Sequence, residues 1–307
     1  MRNLTAILCF IITILAISLV PGSVKQADAN GIERVGVGYI ANTISGVDKR
    51  DAKVALEIMV RKIVVRNFPK VHSSCVIYPD LKAAVKAVEN EEIDIMTMLS
   101  INYLEIRDRN ILIPKFIGSI GGEPEESYVL LVKKEYNIKG ISQLKNKKII
   151  IQQGGSGVIS LMWLDTLLME QSFPESRFFF NSVKRIDKVS MAVLPVFFGQ
   201  ADACLVPRHA YETMVELNPQ VGKSLDVLSE SPGYLVTVSC FRSDMVENHQ
   251  KIIQGQIEIL DDAPEYQQLL NLFHLKSVIR YQPEYLSNVN KLYDTYHRLK
   301  PSSEQGN

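Results

Sequence analysis

The chain has 307 residues, and its 34 lysines and arginines balance 34 aspartates and glutamates to a formal net charge of zero. That balance excludes the basic field that nucleic acid or an anionic membrane surface selects, so no nucleic-acid partner is expected. The length, with 46% hydrophobic residues, suffices for two domains of ordinary size around a large core.

Met1-Arg2-Asn3 gives a short positive start, and residues 4–20 run almost wholly apolar up to Pro21-Gly22. Ala27-Asp28-Ala29 then places small residues where a signal peptidase reads them. Residues 1–29 are therefore expected to be a signal peptide exporting the chain to the periplasm. The alternative is an uncleaved anchor, because the apolar run is near the lower limit for spanning a bilayer. No later run reaches that length, so the mature chain is expected to be soluble. Beyond Cys9 stand Cys75, Cys204 and Cys240, an odd number that permits at most one bridge. Cys204 and Cys240 lie in strand-like apolar runs and read as small buried apolar side chains, a disulfide between them being the alternative.

From Arg34 onward, short apolar strands alternate with amphipathic helices. Arg34–Ile40 reads as a buried strand, and Lys49–Asn67 as a helix with Ala52, Ala55, Ile58, Met59 and Ile63 at helical spacing. Residues 75–78 form a second strand, and Asp80 caps a helix whose apolar face is Leu81, Ala84, Val85 and Val88. Residues 93–99 and 111–117 are strands, the first too apolar to alternate, as expected where both sheet faces are covered. A polar, glycine-rich break at 118–127 follows, and the alternation restarts. Strands are expected at Tyr128–Lys133, Lys148–Gln152, 178–180 and 201–206, and helices at 142–144, 158–170 and 187–198, the last ended by Gly199. Ser231-Pro232-Gly233 breaks this second unit, 234–241 reads as a returning strand, and the remainder to Leu299 is largely helical.

This order predicts an α/β protein of two Rossmann-like lobes with mostly parallel sheets, joined by a two-stranded hinge. Lobe 1 is discontinuous, from 30–122 and 235–300; lobe 2 spans 123–234; 301–307 is a polar tail expected to be disordered. The cleft between the lobes, faced by the carboxyl ends of the strands, is the expected ligand site.

Several stretches between Val35 and Arg242 carry a resemblance. They are Ile93-Asp94-Ile95 with Tyr103 downstream, Tyr128–Lys133 followed by the 141–149 run, Gly154-Gly155-Ser156-Gly157, and Gly199-Gln200-Ala201-Asp202-Ala203. Together they resemble the phosphonate- and phosphite-binding periplasmic proteins of ABC importers, which have the type II binding-protein fold. The chain departs from that family in two places. Asp187-Lys188-Val189-Ser190 stands where a histidine commonly opens a helix, and Leu99-Ser100 replaces a glycine-proline pair. The resemblance implies the fold and a binding role, and leaves the ligand open between another oxyanion, a carboxylate and a cleft that no longer binds tightly.

The sharpest local signal is the Gly155-Ser156-Gly157 turn between a strand and a helix. Its backbone N–H groups and the helix start favour an anion; the alternative is a capped tight turn with nothing bound. The spacing matches neither a dinucleotide fingerprint nor a P-loop. Tyr39 follows the first strand, and Ser100, Asn102 and Tyr103 follow the third, in loops expected to reach the cleft. Each tyrosine reads equally as a ligand contact or a half-buried core residue. Lys188 and Arg208 are the candidate cationic partners of an anion, with solvated surface charge as the alternative.

An enzyme finds little support. Val158 breaks the G-x-S-x-G elbow around Ser156, and His72, His209, His249, His274 and His297 are scattered. No cysteine pair has zinc spacing. The carboxylate pairs Glu91-Glu92, Glu125-Glu126 and Asp261-Asp262 read as solvated. The expectation is a monomeric solute-binding protein without cofactor or metal, capturing a small anionic, phosphonate- or phosphate-like ligand for an ABC permease. A periplasmic sensor signalling to a membrane partner is the alternative, with an enzyme on the same fold as a third.

Overall fold

The computed structural model describes residues 33–44, 48–67, 70–120, 122–154, 157–258, 264–273 and 275–300. The expected leader, the tail, Gly155, Ser156 and the Asp261-Asp262 pair lie outside the described residues.

The first α/β unit runs β1 (Arg34–Ile40), α1 (Lys49–Asn67), β2 (His72–Tyr78), α2 (Leu81–Glu89), β3 (Ile95–Leu99), α3 (Ser100–Ile106) and β4 (Leu112–Ser119). The second runs β5 (Tyr128–Lys133), β6 (Lys148–Gln152), α4 (Gly157–Glu170), α5 (Ser176–Phe179), β7 (Ser182–Ile186) and α6 (Val189–Phe197). It continues through β8 (Ala203–Pro207), α7 (Arg208–Leu217), α8 (Pro219–Ser224) and β9 (Leu225–Glu230). The chain then returns as β10 (Thr237–Arg242), α9 (Glu247–Glu258), α10 (Pro264–Leu272), β11 (Ser277–Arg280) and α11 (Ser287–Leu299).

Two sheets result, of order β11-β4-β10-β3-β1-β2 and β7-β6-β8-β5-β9. Parallel pairing holds for β1 with β2 and β3, and for β6 with β7 and β8. It gives way to antiparallel pairing at β10, β11, β5 and β9. The reason is the double crossing. A strand that enters a lobe from the cleft, as β5 and β10 do, must run against strands that end there. At the crossing Glu126 and Tyr234 pair as an isolated antiparallel bridge, the Tyr128 and Tyr234 rings stack at 6.4 Å, and Ser231 Oγ accepts the Tyr128 N–H at 2.8 Å.

Each all-apolar strand sends alternate residues to opposite faces, so both faces are filled. In the second sheet Leu130 and Leu205 join a core continuous with the first lobe, while Val129, Leu131, Cys204 and Val206 pack beneath α6 and α7. Cys75, Cys204 and Cys240 are free thiols, the last two buried. Asp80 caps α2 as expected, its Oδ1 accepting the Ala83 N–H at 2.8 Å.

Three local expectations are corrected. Residues 178–180 are no strand: α5 runs to Phe179, its first turn fixed where Asp165 Oδ1 accepts the Ser176 N–H at 2.7 Å, and Phe179 packs between Phe173 and Phe180. The strand falls instead at β7, a polar sheet edge. The segment after β3, read as a loop, is the helix α3, and the region read as largely helical also contains the short strand β11.

Candidate functional site

The carboxyl ends of the strands face a cavity of about 430 Å³ walled by both lobes. Tyr39 lines it from the end of β1, Thr97 from the middle of β3, and Thr237 from the start of β10. The second lobe contributes Gln152 and Gly154 at the end of β6, Asp187 and Val189 at the start of α6, and Pro207, His209 and Ala210 at the end of β8. Glu126, from the crossing, completes the mouth.

The charged centre of the mouth is a pair. His209 Nδ1 lies 3.1 Å from Glu126 Oε1, and Tyr128 Oη donates to Glu126 Oε2 at 3.3 Å. Glu126 is buried and His209 exposed. The hydrogen bond to Glu126 raises the imidazole above its ordinary pKa, against the opposing effect of burial. Gln152 Nε2 donates to the carbonyls of Gln153 and Asp187, at 2.8 and 3.0 Å, while its buried Oε1 has no partner. Deeper in, Thr97 Oγ1 and Ser239 Oγ satisfy each other at 2.8 Å. Burial pushes the Tyr39 phenol far above its ordinary value, so it stays a neutral donor.

The expected site residues separate. Tyr39 lines the cavity. Gly157 opens α4, its N–H donating to the Gly154 carbonyl at 2.9 Å, and a Cβ there would lie 3.2 Å from the Gln152 carbonyl oxygen. Neither Gly157 nor the other five described candidates is among the residues lining the cavity. Ser100 is fully buried and donates to the Leu235 carbonyl at 2.5 Å, clamping α3 to the returning chain. Asn102 accepts from Asn42 at 3.1 Å, and Tyr103 packs on the core beneath the first sheet. Lys188 projects outward between the two lining residues Asp187 and Val189. Arg208 is engaged by Glu212 at 2.8 Å and by Glu230. No lysine or arginine is among the described lining residues.

Sequence reasoning passed over His209 and Glu126. The Glu125-Glu126 pair, read as solvated, is corrected at Glu126, whose burial follows from its bridge to Tyr234. A usable signal existed for His209: it comes two residues after β8, at the carboxyl end of a strand, where cleft residues are expected.

Residues 70–286 match the family model described as the ABC transporter, phosphonate, periplasmic substrate-binding protein. This chain belongs to that family. It is therefore a substrate-binding protein of an ABC transporter and not an enzyme. No curated protein matches it at the level of sequence. Solved structures share its fold at low identity. XAC2383 from Xanthomonas citri, bound to chloride ion, aligns with TM-score 0.62 at 12% identity, covering 87% of this chain and 98% of that one. PhnD1 from Prochlorococcus marinus, in complex with methylphosphonate, aligns with TM-score 0.58 at 16% identity over 87% and 99%. The periplasmic aliphatic sulphonate binding protein SsuA from Escherichia coli aligns with TM-score 0.52 at 16% identity over 87% of each chain. These likenesses place the two sheets of this binding protein in the type II periplasmic fold. Two family-bearing residues turn out to be structural here: Asp94 accepts the Gly36 N–H at 2.8 Å, and Asp202 accepts the Lys148 N–H at 2.8 Å.

Proposed function

We propose that this binding protein captures a small acidic ligand in the interlobe cavity and that closure of the lobes presents it to the permease. The observation that carries the reading is that one cavity is walled by both lobes, so a ligand touching both walls stabilises the closed form. The acid is addressed by the His209 imidazolium, with Gly154 at the end of β6 beside it, while Gln152 Oε1 accepts from a protonated head-group oxygen. The reading carries with it export by the 1–29 leader, action as a monomer, and the division into lobes at 122–123 and 234–235.

A thermal-shift screen against phosphonates, phosphite, phosphate, sulfate and small carboxylates tests it. A ligand at about 100 times its dissociation constant should add about 2.7 kcal/mol of stability, and the His209→Gln variant should lose most of that gain. A folded protein shifted by none of these acids, or shifted equally in the variant, overturns the acidic-ligand reading.

A further inference from the structure

The cavity does not stop at the cleft. It continues between the first sheet and the helices α1, α9 and α10, where Leu56, Met59, Val60, Ile253, Ile257 and Leu270 line it. The sheet residues that face it are in register: Val35 and Val37 with Tyr39, Ile95 with Thr97, Gly118 with Phe116, and Ser239 with Thr237. A close-packed interior carries large side chains on such a face, and the opposite face of the same strands does, with Met96, Met98 and Val238 fully buried. Here Phe116 is large and Leu275 covers Gly118, and the short side chains are those of Thr97, Thr237 and Ser239. From Tyr39 at the mouth to Val35 at the inner end is four residues of strand, about 13 Å by the rise of a β-strand.

Water is a poor occupant of this inner part. An ordered water needs two to four polar partners, and Thr97 and Ser239 already spend their hydroxyls on each other. Gln256 Oε1 is the one unpartnered buried side-chain atom of the first-lobe wall among the described residues. Polar groups are gathered instead at the mouth, in His209, Glu126, Gln152 and Asp187.

We propose that the ligand is a single-chain amphiphile. Its polar head lies at the His209–Glu126 mouth, and its alkyl chain lies between the first sheet and helices α1, α9 and α10. The proposal rests on the binding role given above and extends it, since a methyl-sized substituent would leave the inner cavity unfilled.

Titration calorimetry of the purified chain with methyl-, butyl-, octyl- and decylphosphonate, kept below their micelle concentrations, tests the chain. Decanoate and decyltrimethylammonium test the head. Affinity is expected to rise about fourfold per added methylene until the inner cavity is filled. In Ile253→Trp, which fills the chain path, the gap between decyl- and methylphosphonate should close. Thr97→Leu provides a second filling variant should the tryptophan prevent folding, which circular dichroism reports. Affinity that is flat or falls with chain length, in a protein that binds methylphosphonate, overturns the amphiphile and leaves the binding role standing. Binding of all decyl compounds regardless of head supports the chain site and overturns the acidic head. A folded protein that binds none of them overturns both.

Discussion

Asp94 and Asp202 occupy the same place in the two lobes. Each directly precedes an inner strand, β3 or β8, and each reaches across to the neighbouring parallel strand to accept a backbone N–H, from Gly36 in β1 or Lys148 in β6. The reverse bonds run from the Asp94 N–H to the Gly36 carbonyl at 2.8 Å and from the Asp202 N–H to the Lys148 carbonyl at 3.1 Å. The family signal at both positions is thus a strand-pairing device, which explains how the fold is recognisable while the ligand is not. The two differ in burial. Asp94 also pairs with Arg242 at 3.2 Å, their side chains only 12% and 15% exposed. Removing one partner of a buried pair costs about 3 kcal/mol or more, against about 1 kcal/mol for a single exposed hydrogen bond. Urea midpoints should therefore fall well further for Asp94→Ala than for Asp202→Ala.

At the same scale, His209 makes the mouth sensitive to pH. Its folded pKa is raised by Glu126, so its contribution to stability is complete below the ordinary histidine pKa and is lost as pH rises through the raised value. The melting temperature of the wild type should fall across that window relative to His209→Gln, and affinity for an acidic ligand should fall with it. Parallel pH curves for the two proteins would show that the pair does not act this way.

Among the elements, α11 has the widest reach. It packs Val289 and Leu292 into the shared core, and Asp294 pairs with Arg107 just beyond α3 at 3.2 Å. At its far end Tyr296 Oη donates to Glu175 Oε1 of the second lobe at 3.1 Å, where Arg177 and Lys300 also converge on the carboxylate. The C-terminal helix thus braces both lobes beside the hinge. Tyr296→Phe should cost about 1 kcal/mol in equilibrium unfolding. It should also raise hydrogen exchange in α11 ahead of the sheets, and protection unchanged along α11 would count against the brace.

The strands and helices most faithfully read from sequence share one property. β1, β5, β6 and α1 sit where an apolar run or a helical stripe meets a sharp polar or proline boundary, so burial and chain pattern agree. β7 escaped because Ser182–Ile186 is a polar edge strand whose place is set by its parallel neighbour β6. β11 escaped because its four residues form a strand only by pairing with β4.

For the whole molecule, the proposed capture in a cavity walled by both lobes makes binding a matter of closure. The walls of the cavity belong to different sheets, and the crossings at Glu126 and Tyr234 are the natural place for the lobes to turn on each other. What the sequence by itself determined is the alternation of buried strands and amphipathic helices, the two-unit plan and the family, because these are local patterns of apolar burial and backbone pairing. The tertiary structure alone decided where the candidate residues lie. It withdrew Ser100 into a backbone clamp and engaged Arg208 with surface carboxylates. It also brought Glu126 to His209 across more than eighty residues of chain, and it opened a cavity lined by Thr97, Thr237 and Ser239. Each of those depends on which distant side chain arrives opposite, and no local pattern encodes that.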